Sequence, residues 1–298
     1  MLRIRKYASI DIGSNAVRLL ISTITEPENK PVSFKKTSLV RVPIRLGQDV
    51  FVNGYISDFN ISRMKQTMKA FQLLMNCHKV EKYRACATSA MRDAQNSKAL
   101  VDDVKSETGI DIEIIDGSDE AAIIAATDLH ELINTEKTYI YVDVGGGSTE
   151  ITIFANGKTV NSKSFNLGTV RILNNLVSEQ DWEDFRQWIK THTKGYSKIE
   201  MIGSGGNINH IFKASAKKTG KPLSFFYLSS YYQLLQSLTY EERIAQLSMN
   251  QDRADVIVPA TEIYLTAMKQ SKSRRVHVPK IGLSDGIVKS MYNAYKNI

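Results

Sequence analysis

Asp11 stands two residues ahead of Gly13-Ser14-Asn15, and Asp143 stands two residues ahead of Gly145-Gly146-Gly147-Ser148-Thr149, with Glu150 next in the chain. A tight glycine turn after a buried strand leaves backbone N–H groups free, and without a Cβ in the way an anion can approach them closely. Ser14, Asn15, Ser148 and Thr149 add side-chain donors. A third loop, Gly203-Ser204-Gly205-Gly206-Asn207, precedes a helix, where amides and dipole again favour an anion. Such loops suit phosphates. The carboxylates beside them, Asp11, Glu120, Asp143 and Glu150, make sense there if they bind Mg²⁺ or activate a water. Arg92, at the end of Ala87-Thr88-Ser89-Ala90-Met91-Arg92, is a candidate phosphate donor. No GxxxxGK[ST] and no GxGxxG at a strand-to-helix turn occurs, so neither a Walker site nor a nicotinamide site is expected.

The elements that must hold these residues alternate between strand and helix, which places the chain in the α/β class. Strands are expected over 7–12, 17–24, 32–42, 83–87, 112–115, 138–144, 151–155, 159–165 and 201–202. Helices are expected over 61–75 with Asn60 as cap, 97–108, 118–132, 229–238, 252–269 and 284–295. One unit occurs twice: a β-run ending in Asp, a Gly/Ser turn, then two more β-runs. A duplication about half a chain apart implies two similar domains, 1–124 and 125–298, with the last helix free to pack back on the first.

The chain has 298 residues, 42% apolar and 23% charged, with 39 Lys plus Arg against 31 Asp plus Glu. That is an ordinary globular composition, long enough for two cores. No run approaches the ~20 apolar residues of a membrane helix, and no secretory leader is visible, so a cytoplasmic protein without a membrane partner is expected. Cys77 and Cys86 form no metal or disulfide pattern, and the five histidines are scattered. Nucleic-acid motifs are absent as well. The net charge of +8 is uneven: residues 269–298 carry 7 basic and 1 acidic side chains. Lys269, Lys272, Arg274, Arg275 and Lys280 therefore form a candidate polyanion track. The aromatics Phe225, Phe226, Tyr227, Tyr231 and Tyr232, and both tryptophans, are assigned to packing.

Together, Asp11 to Asn15 with Arg18-Leu19, Ala87 to Arg92, Ile115-Asp116-Gly117-Ser118-Asp119-Glu120-Ala121, Asp143 to Glu150, Leu167 to Arg171, Gly203 to Asn207, Arg253 to Pro259 and Gly282 to Gly286 resemble the exopolyphosphatase and guanosine pentaphosphate phosphohydrolase family. The likeness covers essentially the whole chain, in the family's short two-domain form. It implies two ribonuclease-H-like domains of the actin-like ATPase superfamily facing each other across a cleft. It further implies Mg²⁺-dependent removal of terminal phosphoryl groups from inorganic polyphosphate. Glu120 matches the catalytic glutamate, and Asp143 and Glu150 match acidic positions at the metal. Ser14, Asn15, Arg92, Gly145 to Thr149, Gly205, Gly206 and Asn207 match phosphate-binding positions. Alternatives within the resemblance are guanosine pentaphosphate as substrate, a non-catalytic sensor and a homodimer. The chain departs from the family at Asp119, where a second glutamate is common, at Asp116, where a serine is usual and the change adds negative charge beside Glu120, and at Asn207-Ile208-Asn209, where Thr and Arg are usual.

Overall fold

The computed structural model describes residues 2–125, 127 and 136–296. The chain divides into two compact units: unit 1 is 1–127 with 283–298, and unit 2 is 128–282.

Unit 1 is built on β1 (Arg3–Ile12), β2 (Val17–Glu26), β3 (Ser33–Val42), β4 (Lys82–Ala87) and β5 (Ile112–Ile114), in the sheet order β3-β2-β1-β4-β5. The first three strands form an antiparallel meander, and β4 and β5 add in parallel. The alternation of β1 explains its two faces. Ala8, Ile10 and Ile12 point into a core with Met64, Met68 and Phe71 of α2 (Asp58–Cys77). Tyr7 of the opposite face packs with Leu20, Ile24, Val288 and Tyr292, the last two from the final helix, Leu283–Lys296. α2 starts at Ser57, whose hydroxyl accepts the Asn60 amide, and Asn60 itself is a buried helical residue. Asn60 is therefore not the cap. Its side chain donates to Asp49, the carboxylate that also accepts from Ser57. Among the described residues up to 127, four further helices follow: α1 (Leu46–Asn53), α3 (Ser89–Asp93), α4 (Ser97–Thr108) and α5 (Gly117–Ala125). The expected helix to Leu132 is described only as far as Ala125; the remainder lies outside the described residues.

Unit 2 repeats the meander as β6 (Thr138–Val144), β7 (Thr149–Ala155) and β8 (Lys158–Phe165), extended in parallel by β9 (Ile199–Ser204) and β11 (Arg275–His277). A two-residue strand, β10 (Leu223–Ser224), closes the edge antiparallel to β11. The core gathers Ile140, Val142, Ile151 and Ile153 with Phe185 and Ile189 of Glu179–Thr193 and Tyr264 of Ile257–Gln270. A continuous helix from Asp252 to Lys269 does not form. Gln251–Ala254 ends, and a new helix starts at Ile257. Within an unbroken helix the Pro259 ring would meet the Asp255 carbonyl; in the first turn of a new one it replaces an amide that has no helical partner. Trp182 and Trp188 pack edge-on against Phe185 and Phe165, and Tyr227 stacks on Tyr231. No described helix is long and apolar enough to cross a membrane.

The final helix lies against α5 so closely that a Cβ on Gly286 would stand 2.4 Å from the Ile123 carbonyl oxygen. Gly286→Ala gains about 1 kcal/mol of helix propensity, but the overlap is with backbone and costs on the order of 1–3 kcal/mol or more. The expected outcome is a lower Tm together with a reduced kcat, because α5 carries Glu120. A thermal melt and a turnover assay check it, and a Tm at or above wild type would show that the two helices part without cost.

Candidate active site

The two hairpins repeat in detail. In unit 1 the Gly13 amide donates to the Ala16 carbonyl (3.1 Å), and in unit 2 the Gly145 amide donates to the Ser148 carbonyl (2.9 Å). The residue opposite the motif aspartate differs between them: Asp11 faces Arg18, whereas Asp143 faces Glu150. Cross-strand partners share a face and lie close. Asp11 is thus held by the Arg18 guanidinium at 2.8 Å, and unit 2 sets two carboxylates side by side.

Around the first loop, unit 1 stitches three segments together. The Thr88 amide donates to the Ile12 carbonyl, the Ser14 and Ser89 hydroxyls lie 3.2 Å apart, and the Gly47 amide donates to the Ser14 carbonyl. This brings the Ala87 to Arg92 segment beside Ser14 and Asn15. Arg92 donates to the Ile115 carbonyl, at the entry to α5. Asp116 is the cap of that helix: its Oδ1 accepts the Ser118 and Asp119 amides at 2.8 Å and the Ser118 hydroxyl at 2.6 Å. The Ser118 hydroxyl bond and those amides hold the Asp116 carboxyl below the usual aspartate range. The negative charge introduced by Asp116 is therefore committed to the helix N-terminus. Glu120 sits buried in the first turn. Cys86 is near Asp11 and Glu120, yet burial pushes its thiol up to about 12, so it is no nucleophile at neutral pH.

In unit 2 the glycine loop is pinned by its carbonyls. Thr169 and Val170 amides donate to Gly145 and Gly146, and Arg171 Nε donates to Gly147 at 2.8 Å. Gly168 abuts the loop so tightly that a Cβ there would be 2.3 Å from the Gly147 carbonyl carbon. With the carbonyls used inward, amides are the groups the turn can offer an anion. The third loop reaches the same place: a Cβ on Gly205, whose φ is +109°, would stand 3.3 Å from Asp143 Oδ1. Arg253 Nη1 donates to the Gly206 carbonyl and fixes that loop, and Asn207 is buried beside it. Asp143 Oδ2 accepts from Ser204 Oγ (3.0 Å) and Tyr141 (3.3 Å), while Glu150 Oε1 accepts from Ser164 Oγ (2.9 Å).

No group of three or more metal-ligating side chains occurs among the described residues. The pair Asp143 and Glu150 still fits Mg²⁺, which takes one or two carboxylates and keeps waters or substrate oxygens as its other ligands.

Not all expected residues gather here. β11 runs parallel to β9, pairing Val276 with Met201 and His277 with Ile202, and β9 ends at Ser204 beside the loops. Arg275 opens β11, so Lys269, Lys272, Arg274 and Arg275 lie toward the sheet end opposite the glycine loops; Lys280, beyond the strand, precedes Gly282. Strand direction, invisible to a charge count, separates them. Residues absent from the expectation are Tyr141, Ser204, Ser164 and Arg171. Arg171 and Ser204 lay in motifs that could have flagged them, Leu167 to Arg171 and Gly203 to Asn207; Tyr141 and Ser164 did not.

Among known proteins, a 208-residue stretch, 65% of the chain, is 36% identical to the bifunctional 3-dehydroquinate synthase/phosphatase of Fusobacterium nucleatum, and spans 31% of that relative. Exopolyphosphatase 2 of Mycobacterium tuberculosis is 25% identical over 96% of this chain and 98% of its own. The solved structure of an exopolyphosphatase from Cytophaga hutchinsonii superposes with a TM-score of 0.83 at 24% identity, covering 97% of this chain and 98% of that one, and shows the shared fold. The model of the Ppx/GppA phosphatase family matches residues 28–294: the chain belongs to the Ppx/GppA phosphatase family.

Proposed function

We propose that the protein is an exopolyphosphatase that removes the terminal phosphoryl group of inorganic polyphosphate as orthophosphate. The observation that carries this reading is the side-by-side pair Asp143 and Glu150 beside a glycine loop pinned through its carbonyls. The name of the Mycobacterium tuberculosis relative adds the substrate.

Glu120 accepts a proton from the attacking water as its oxygen bonds to the terminal phosphorus. The bond from that phosphorus to the bridging oxygen breaks, and the shortened chain leaves with the electron pair. In-line transfer of this kind needs little covalent chemistry from the protein, so positioning and charge neutralisation dominate. The amides of Gly146 and Gly147, with Ser148, hold phosphoryl oxygens; the expected contacts from Gly145 and Thr149 are not made by the Gly145 amide, which is committed to the Ser148 carbonyl, or by the buried Thr149 hydroxyl, which donates to the Leu167 carbonyl. Within unit 2, Gly205, Gly206 and Asn207 of the third loop do so as well; Ser14, Asn15 and Arg92 are the phosphate-binding candidates of unit 1. Asp143 and Glu150 would hold Mg²⁺, which when bound neutralises charge on the phosphoryl oxygens. Tyr141, Ser204 and Ser164 orient the two carboxylates through the bonds described above. A cytoplasmic setting agrees with two free cysteines, one exposed.

An orthophosphate-release assay with long-chain polyphosphate and with guanosine pentaphosphate tests the reading. Release from polyphosphate is expected. Release from the nucleotide alone would replace it with the second activity, and binding of either without release would make the protein a sensor.

A further inference from the structure

We propose that the end of the unit 2 sheet where Lys198, Arg274 and Arg275 meet, flanked by the exposed rings of Tyr196 and Phe226, binds single-stranded nucleic acid. The surface lies apart from the candidate active site and does not depend on the polyphosphate reading.

Local turns and strand direction bring these residues together. The helix Ile257–Gln270 ends in a turn in which the Lys272 amide donates to the Lys269 carbonyl and the Ser273 amide to the Met268 carbonyl at 2.9 Å. The run Ser271-Lys272-Ser273-Arg274 then alternates. Both serines are buried, their hydroxyls donating to the Ala267 and Arg275 carbonyls, while Lys272 and Arg274 are exposed. β11 is parallel to β9, with Val276 beside Met201, so one and two residues back Arg275 and Arg274 come level with Glu200 and Ile199. Lys198 immediately precedes Ile199, in the exposed segment 194–198 that follows the helix Glu179–Thr193.

Segments 194–199 and 269–277 together hold six Lys and Arg and no Asp or Glu. All six are exposed, and none makes a side-chain hydrogen bond or ion pair among the described residues. Glu200, on the neighbouring strand, is occupied by His277 at 2.6 Å and Lys137 at 3.0 Å. The positive charge is therefore open to a polyanion.

The rings decide which polyanion. Phe226, expected in packing, is 79% exposed. The Phe225 amide donates to the Arg274 carbonyl at 3.0 Å, which sets Phe226 beside the arginines. On the other side Tyr196, two residues ahead of Lys198, is 39% exposed. At about 4.8 Å per strand, Ile199 and Phe225 stand on either side of Arg274 and roughly 10 Å apart. Single-stranded nucleic acid uses both features, cations against its phosphates and aromatic faces under its bases. Inorganic polyphosphate has no base to stack. An anionic membrane is met by apolar side chains gathered on one face, not parted by arginines. The surface is about 16 Å along β9 from Ser204, so a bound strand leaves the glycine loops of unit 2 open.

Fluorescence anisotropy of a labelled 20-nucleotide oligouridine, read at several salt concentrations, tests this with the full chain. The variants are Arg274→Gln with Arg275→Gln, Phe226→Ala, and a control of equal charge change on exposed lysines of unit 1, Lys69→Gln with Lys98→Gln. The arginine pair should lose about tenfold or more in affinity, with a salt slope reduced by about 0.7 per residue. Phe226→Ala should lose about tenfold, the size of one stacked base, with the slope unchanged. The control should change less than twofold, and each Tm should match wild type. No binding by the wild-type chain below about 10⁻⁴ M, the weak limit of non-specific association, would overturn the proposal. Equal losses in the control would overturn it too. Full affinity in Phe226→Ala would leave a surface that reads charge alone and remove the nucleic acid. Sedimentation with phosphatidylserine vesicles that is lost in the same variants, without oligouridine binding, would assign the surface to a membrane instead.

Discussion

Glu120→Gln is expected to lower kcat for polyphosphate by about 10³-fold, within the 10²–10⁴ range that a positioned general base contributes. Affinity and Tm should stay close to wild type. The substitution is nearly isosteric, and the turn that holds Glu120 is secured elsewhere. Asp116 caps α5 through the Ser118 and Asp119 amides, and the Glu120 amide donates to the Asp116 carbonyl. Single-turnover kinetics with a saturating chain, paired with calorimetric binding, separates chemistry from affinity. A kcat within threefold of wild type would remove Glu120 from the reaction. A loss of binding equal to the loss of rate would make it a substrate contact instead.

Asp143→Asn is expected to reduce kcat/KM by about 10²-fold or more, the effect of losing several kcal/mol of charge stabilisation, and to weaken Mg²⁺ binding measured without substrate. Asn keeps an acceptor for Ser204 and Tyr141, so the bonds at 3.0 and 3.3 Å can persist and the fold should hold. Raising Mg²⁺ should recover part of the activity of Asp143→Asn and none of that of Glu120→Gln, because only the first lowers metal affinity. Identical Mg²⁺ titrations for Asp143→Asn and wild type would exclude Asp143 as a ligand.

Much of the framework was legible in the sequence because strong local signals agree with the tertiary answer. Thr138–Val144 is strand over the whole of its apolar run, and Ser97–Thr108 is helix from its first expected residue to its last. The Asp-turn duplication became the same turn bond in each unit, from Gly13 to Ala16 and from Gly145 to Ser148. Short elements were not legible. Leu46–Asn53, Ser89–Asp93 and Thr169–Leu173 have eight, five and five residues, too few for a helical period to declare itself. β11 is three residues long and exists because β9 and β10 flank it.

The candidate site divides the same way. Residues carried by motifs, such as Gly145 to Glu150, could be named. Tyr141 and Ser204 act through a carboxylate that a strand alternation and a parallel register bring to them, and no spacing announces that. The basic stretch near the C-terminus misled for the related reason that proximity along a chain says nothing about which end of a sheet a residue reaches.

The allocation of residues 283–298 to unit 1 bears on how the protein is made. Ser9 donates to the Ser284 carbonyl and Arg5 to the Tyr295 hydroxyl, closures spanning 275 and 290 positions. Unit 2 has all of its chain once Gly282 is synthesised. Unit 1, holding Glu120, must wait for the last helix, with Tyr7, Leu20 and Ile24 uncovered in the interval. Contacts of such separation form late, so on the ribosome the half bearing the proposed general base matures after the half bearing the proposed metal carboxylates, and a nascent chain released early lacks a complete unit 1.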